Sequence, residues 1–172
     1  MRGELGSTGD GSMTSRDAVE VHLAWMTSHP ADAALLEWER KQPDAITKDP
    51  LWTLNCYRES MFLVDAVRDD AAKLAPHASL SDARGQLLTA VGSIAANIAE
   101  GYGRMTAADR AKFLSYALGS VREAITWYRA LRPEGGDDPT ADRVDRLARM
   151  RRMLIGLLKR LGEGGARKFD PW

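Results

Sequence analysis

The sequence predicts an all-α protein: an antiparallel up-down four-helix bundle with a short helical N-terminal extension. Three observations support this. Apolar residues recur at alternating steps of three and four in four segments between residues 51 and 161. No segment alternates apolar and polar residues as a half-buried strand would, and breaks rich in glycine or proline separate the segments. A repeat near 3.5 residues keeps one stripe turned toward a neighbouring helix, which favours packing at about 20°. At 172 residues, with 44% hydrophobic and 28% charged side chains, the chain has room for one core-bearing domain and an extension.

Residues 1–13 are glycine- and serine-rich without periodicity and are expected to be disordered. Residues 14–50 form the expected helical extension. Its first helix would run from about Ser15 to Ser28, with Val19, Leu23 and Met26 on one face, and stop at Pro30. A second short helix would hold Leu35, Leu36 and Trp38. Pro43 and Pro50 punctuate the rest and push Gln42 and Asp49 toward extended backbone.

The bundle domain is expected over residues 51–161, with residues 162–172 as a C-terminal tail. The first bundle helix offers Leu54, Tyr57, Met61, Val64, Ala71 and Leu74 as its core face, and the second offers Leu87, Val91, Ile94 and Ile98. The third continues the rule with Leu114, Leu118, Val121, Ile125 and Tyr128, and the fourth with Val144, Leu147, Met150, Leu154, Leu157 and Leu161. Gly101 is expected to close the second helix in a left-handed conformation, and Gly103 to permit a further bend. Thr106 and Asp109 form a Thr-x-x-acid cap for the third helix, so the short connection implies an antiparallel hairpin. Pro133 to Pro139 breaks the chain before the fourth helix. Ser93 and Ser120, beside Gly92 and Gly119, read as small residues that allow close helix approach.

The 24 basic and 24 acidic side chains cancel, but not evenly along the chain. Residues 1–50 carry five basic and nine acidic groups, whereas residues 139–172 carry nine basic and four acidic. A polyanion would therefore meet the fourth helix first. Its Arg143, Arg146, Arg149, Arg152, Lys159 and Arg160 form the candidate nucleic-acid-binding set, because arginine forks match phosphate oxygens. A solvated charged face is the plainer reading of the same residues. The single cysteine cannot form an internal disulfide, and the N-terminus lacks a secretory pattern, so a cytoplasmic protein is expected. No apolar run nears the ~20 residues that span a bilayer, so no membrane partner is expected.

A di-iron bundle needs Glu-x-x-His pairs, and none of His22, His29 and His77 stands three residues after a glutamate. Gly101-Tyr-Gly-Arg follows a helix and lacks the third glycine of a dinucleotide fingerprint. No metal, cofactor or catalytic residue is therefore assigned. Cys56 reads as a small buried side chain rather than a nucleophile. Asn97, Glu100, Arg104, Ser120 and Glu123 lie near the second turn and along the third helix, and are expected to form a structural polar cluster. The alternative leaves Arg104 open to a phosphate. Phe169 and Trp172 in the tail are candidate partner-docking anchors.

Asn97-Ile98-Ala99-Glu100-Gly101 with Arg104, then Phe113-Leu114, Ala117-Leu118-Gly119-Ser120 and Glu123, resembles a known signature. It is that of the four-helix bundle proteins encoded in intervening sequences of bacterial 23S rRNA genes, a family that includes the accessory variability proteins of diversity-generating retroelements. The resemblance covers roughly residues 51–161. It implies an antiparallel protomer that assembles as a homopentamer, with no general enzymatic activity. For retroelement members it implies binding to RNA or DNA and to a reverse transcriptase through a basic surface. The expectation is a non-enzymatic oligomer that binds nucleic acid or a nucleic-acid enzyme. Its alternative is a scaffold that docks a protein through the acidic extension or the aromatic tail.

Overall fold

A computed structural model of the protein describes residues 30–74, 81–132 and 140–163. The chain divides into two compact units, residues 1–37 and 38–172. In the first, residues 30–37 begin helix α1 (Pro30–Glu39), which runs across the division. Pro30 is its first residue, the position where a missing N–H costs nothing, so the proline starts this helix. The expected helix before it, with the expected disordered N-terminus, lies outside the described residues.

The second unit contains the short helix α2 (Asp44–Thr47), a 3-10 turn (Pro50–Thr53) and four long helices. These are α3 (Asn55–Leu74), α4 (Ser81–Tyr102), α5 (Ala107–Ala130) and α6 (Ala141–Glu163). Every regular element among the described residues is helical. Each long helix packs on the next, and α6 returns to α3, which closes the bundle. The first turns of α3 and α5 share one end with the last turns of α4 and α6. The protein is thus an up-down, antiparallel four-helix bundle.

Three of the four core stripes lie where periodicity puts them. Leu87, Val91, Ile94 and Ile98 of α4 are fully enclosed, as are Val121 and Tyr128 of α5 and Leu147, Met150 and Leu154 of α6. Each such aliphatic side chain contributes roughly 1.5–3 kcal/mol by leaving water. Ala117 and Ala124 complete the α5 stripe, while Ile125 sits half-buried beside it.

Helix α3 differs. Its enclosed stripe is Cys56, Ser60, Leu63, Val67, Ala71 and Leu74, one position before the expected one over its first half. Tyr57, Met61 and Val64 are only half-buried. The reason is that α3 has two covered sides. On the second, Trp38 stacks on Trp52 at 5.9 Å between centroids and meets the edge of Phe62 at 5.8 Å, while Trp52 meets Tyr57 at 6.5 Å. Trp38 Nε1 donates to Asp65 Oδ2 at 2.8 Å. Arg58 joins Glu39 Oε1, the Trp52 carbonyl and Asn55 Oδ1, each at 2.7 Å. Residues from Trp38 onward belong to the same compact unit as the bundle helices. Asp49 is extended, as its proline neighbour requires, and its Oδ1 accepts from Leu51 N at 2.8 Å.

The α4–α5 hairpin corrects one reading of its glycines. Neither Gly101 nor Gly103 takes a positive φ. Gly101 is still inside α4 and buried, and a Cβ there would stand 3.1 Å from Phe113 Cβ and 3.4 Å from the Arg110 carbonyl. Close approach of α5, not turn geometry, requires this glycine. A Cβ at Gly92 or Gly119 meets nothing within 4 Å among the described residues, so those two do not serve close packing between the described helices. The Thr106 cap forms as expected: its Oγ1 accepts from Asp109 N at 3.0 Å and donates to Asp109 Oδ2 at 2.6 Å.

Candidate functional site

The basic residues of α6 separate into an inner and an outer group. Arg146 is fully enclosed, although the sequence places it on a phosphate-facing surface. Its Nη1 donates to Glu59 Oε2 at 3.0 Å and its Nε to Asp142 Oδ2 at 3.1 Å. Its guanidinium lies 4.6 Å from the Phe62 ring centroid. Glu59 is itself 7% exposed, so this is a buried pair that no external phosphate can reach in the folded protomer. Arg149 Nη2 approaches the same carboxylate at 3.6 Å.

Arg143 is held in a second group at the far end of α3. Its Nε donates to Asp70 Oδ2 and its Nη1 to Asp142 Oδ2, both at 2.8 Å, and the Tyr128 hydroxyl donates to Asp70 Oδ2 at 2.8 Å. Burial opposes the Arg143 charge, but the Asp70 hydrogen bond and field outweigh it and leave its pKa raised. Burial, reinforced by Asp70, pushes the Tyr128 phenol far above its ordinary range. Glu59 and Asp70 on α3 thus bind three arginines of α6 across the seam, with Asp142 bridging two of them. The sequence signal for this was Glu59 standing inside a stripe with Cys56, Ser60 and Leu63.

The outer group is Arg151, Arg152, Lys159 and Arg160, all exposed. Arg152, Lys159 and Arg160 are seven and eight residues apart, two turns of helix, and so share a side of α6. Arg160 Nε donates to the Gly156 carbonyl at 3.4 Å.

The five residues of the expected polar cluster do not converge. Glu100 and Arg104 form an ion pair, with the Arg104 guanidinium 4.7 Å from the Phe113 ring centroid. Arg110 Nε donates to the Arg104 carbonyl at 2.6 Å, which fixes the turn. The other three bond within their own helices. Asn97 Nδ2 donates to the Ser93 carbonyl at 2.8 Å, Ser120 Oγ to the Tyr116 carbonyl at 3.1 Å, and Trp127 Nε1 to Glu123 Oε1 at 3.3 Å. These local bonds satisfy the polar groups without a shared site. Burial pushes the Cys56 thiol up to about 11, so it is protonated at neutral pH despite its place at a helix start. Phe169 and Trp172 lie outside the described residues.

Residues 53–155 match the family model described as 23S rRNA-intervening sequence protein. The chain belongs to this family. The match begins just before α3 and ends in α6, so it spans the four-helix bundle and includes both inner and outer arginines up to Arg152. No curated protein and no solved structure matches the chain. Among the described residues, no helix is long and apolar enough to cross a membrane.

Proposed function

We propose that the protein is a non-enzymatic, self-associating bundle that binds nucleic acid, or an enzyme acting on nucleic acid, through the outer basic face of α6. The supporting observation is the exposure of Arg151, Arg152, Lys159 and Arg160 while Arg143 and Arg146 are held by internal carboxylates. Guanidinium and ammonium groups on one helix side suit backbone phosphates and carry no base selectivity by themselves. A reverse transcriptase is the partner class that the retroelement branch of the family resemblance implies.

Self-association is supported by a different surface. Between Arg84 and Glu100, α4 carries no charge, and its Leu88, Thr89 and Ala96 are exposed beside half-buried Gly92 and Ser93. Tyr116, 51% exposed, stands on the adjoining helix. An uncharged face of small and apolar residues suits a second copy of the chain.

The test is a salt series of binding to structured RNA and duplex DNA, with assembled mass measured in the same buffers. Arg152→Gln, Lys159→Gln and Arg160→Gln together should weaken binding at all sequences and flatten the salt dependence by up to about one unit of slope for each lost phosphate contact. Unchanged affinity would remove this face from the reading, and a monomeric mass would remove self-association.

A further inference from the structure

The end of the bundle opposite the Asp70 group contains a cleft of about 660 Å³, between the starts of α3 and α5 and the ends of α4 and α6. That size lies inside the roughly 300–1,000 Å³ usual for small-molecule sites. Ile98, Leu114, Met153, Leu157 and Leu161 give it apolar walls. Arg110, Arg152 and Arg160 also line it, and no carboxylate is among its described lining residues. Cationic groups beside low-dielectric walls concentrate positive potential, which favours an anion.

Gly156 shapes the cleft. It lies on α6 four residues from both Arg152 and Arg160, so the two arginines flank it on one helix face. Among the described residues, a Cβ at Gly156 would meet nothing within 4 Å, and Gly156 itself lines the cleft. A glycine inside a helix costs roughly 0.5–1 kcal/mol relative to alanine, and here it leaves room between two charges.

We propose that this cleft binds a small amphipathic anion, with a carboxylate-type head on Arg152, Arg160 and Arg110 and an apolar body against Leu114, Met153 and Leu157. Its aliphatic walls and uniform positive charge argue for this class over a neutral or cationic ligand. The inference does not depend on nucleic-acid binding. Because Arg152 and Arg160 also belong to the outer basic face, an anion in the cleft would compete with a polyanion for them.

The experiment is calorimetric titration of the full-length protein with sodium decanoate below its micelle concentration, with acetate and decyltrimethylammonium as separate titrants. Saturable decanoate binding, with neither acetate nor decyltrimethylammonium binding, is the expected result. Gly156→Leu should abolish it while holding or raising the melting temperature, since leucine fills open space and favours helix. Arg152→Gln with Arg160→Gln should weaken it about tenfold or more with helicity unchanged. Absence of decanoate binding, equal binding of decyltrimethylammonium, or full affinity in a folded Gly156→Leu protein would each overturn the proposal. So would binding seen only when Phe169→Ala and Trp172→Ala are combined, which would make the chain's own tail the occupant.

Discussion

Where α4 meets α5, Gly101 brings the helices so close that an added Cβ would stand 3.1 Å from Phe113 Cβ, and Ala90, Ala117 and Ala124 put small side chains at enclosed positions along the two helices. Where α3 meets α6, Arg143 and Arg146 stand over Phe62 and reach Asp70 and Glu59, and the two backbones approach over fewer positions than at any other adjoining pair of the four bundle helices. One seam is specified by shape and the other by charge pairing. The difference lies in tolerance: a shape-specified seam fails when volume is added, and a charge-specified seam fails when one partner is removed.

The largest expected effect comes from Glu59→Leu. It takes away the buried carboxylate to which the enclosed Arg146 donates, while the Asp142 side chain that accepts from its Nε is 41% exposed, and it should cost about 3 kcal/mol or more in urea unfolding. Glu59→Leu combined with Arg146→Met removes both charges and should return stability to within about 1.5 kcal/mol of the parent. A double variant as unstable as the single one would show that the pair is worth more than an apolar replacement.

Buried titratable groups at the two ends of α3 add a pH signature. Tyr128 and Cys56 both hold their protons more tightly when folded than when unfolded, because burial raises both pKa values. Their contribution is fully present below the unfolded values and is lost as pH rises toward the folded ones. Cys56 acts from about 9 to about 11, on the order of 3 kcal/mol in total, and Tyr128 acts above about 10. Denaturation midpoints should therefore fall steeply above pH 9. Tyr128→Phe should flatten that fall above pH 10, at a cost of about 1 kcal/mol at neutral pH from the lost Asp70 hydrogen bond. An unchanged alkaline slope in this variant would remove Tyr128 as its source.

Smaller effects separate the glycines. Gly101→Ala should destabilise by about 1–2 kcal/mol through overpacking against Phe113. Gly92→Ala, with open space before it, should stabilise by about 0.5 kcal/mol through helix propensity. Unfolding at two protein concentrations sharpens the contrast, since a loss in Gly92→Ala that grows on dilution would place a second copy against α4.

Much of the fold was legible because its cues are local. The Thr106 cap, the pre-proline Asp49 and the stripes of α4, α5 and α6 depend on spacing and on the chemistry of neighbouring residues. The face of α3 was not legible, because Phe62, Leu63 and Val64 are consecutive and both a bundle core and the Trp38–Trp52 cover claim this helix. The five polar residues of the hairpin looked like a cluster because proximity in sequence was all that linked them, and three found closer partners one turn away.

The sequence by itself determined the four bundle helices, their antiparallel order and the family, since backbone periodicity, turn residues and motif spacing are written along one dimension. Only the tertiary structure decided which arginines of α6 face inward, because burial of Arg146 depends on a carboxylate 87 residues away. The cleft was decided the same way. It is made by four helix ends meeting in space, and no single stretch of the chain carries its shape.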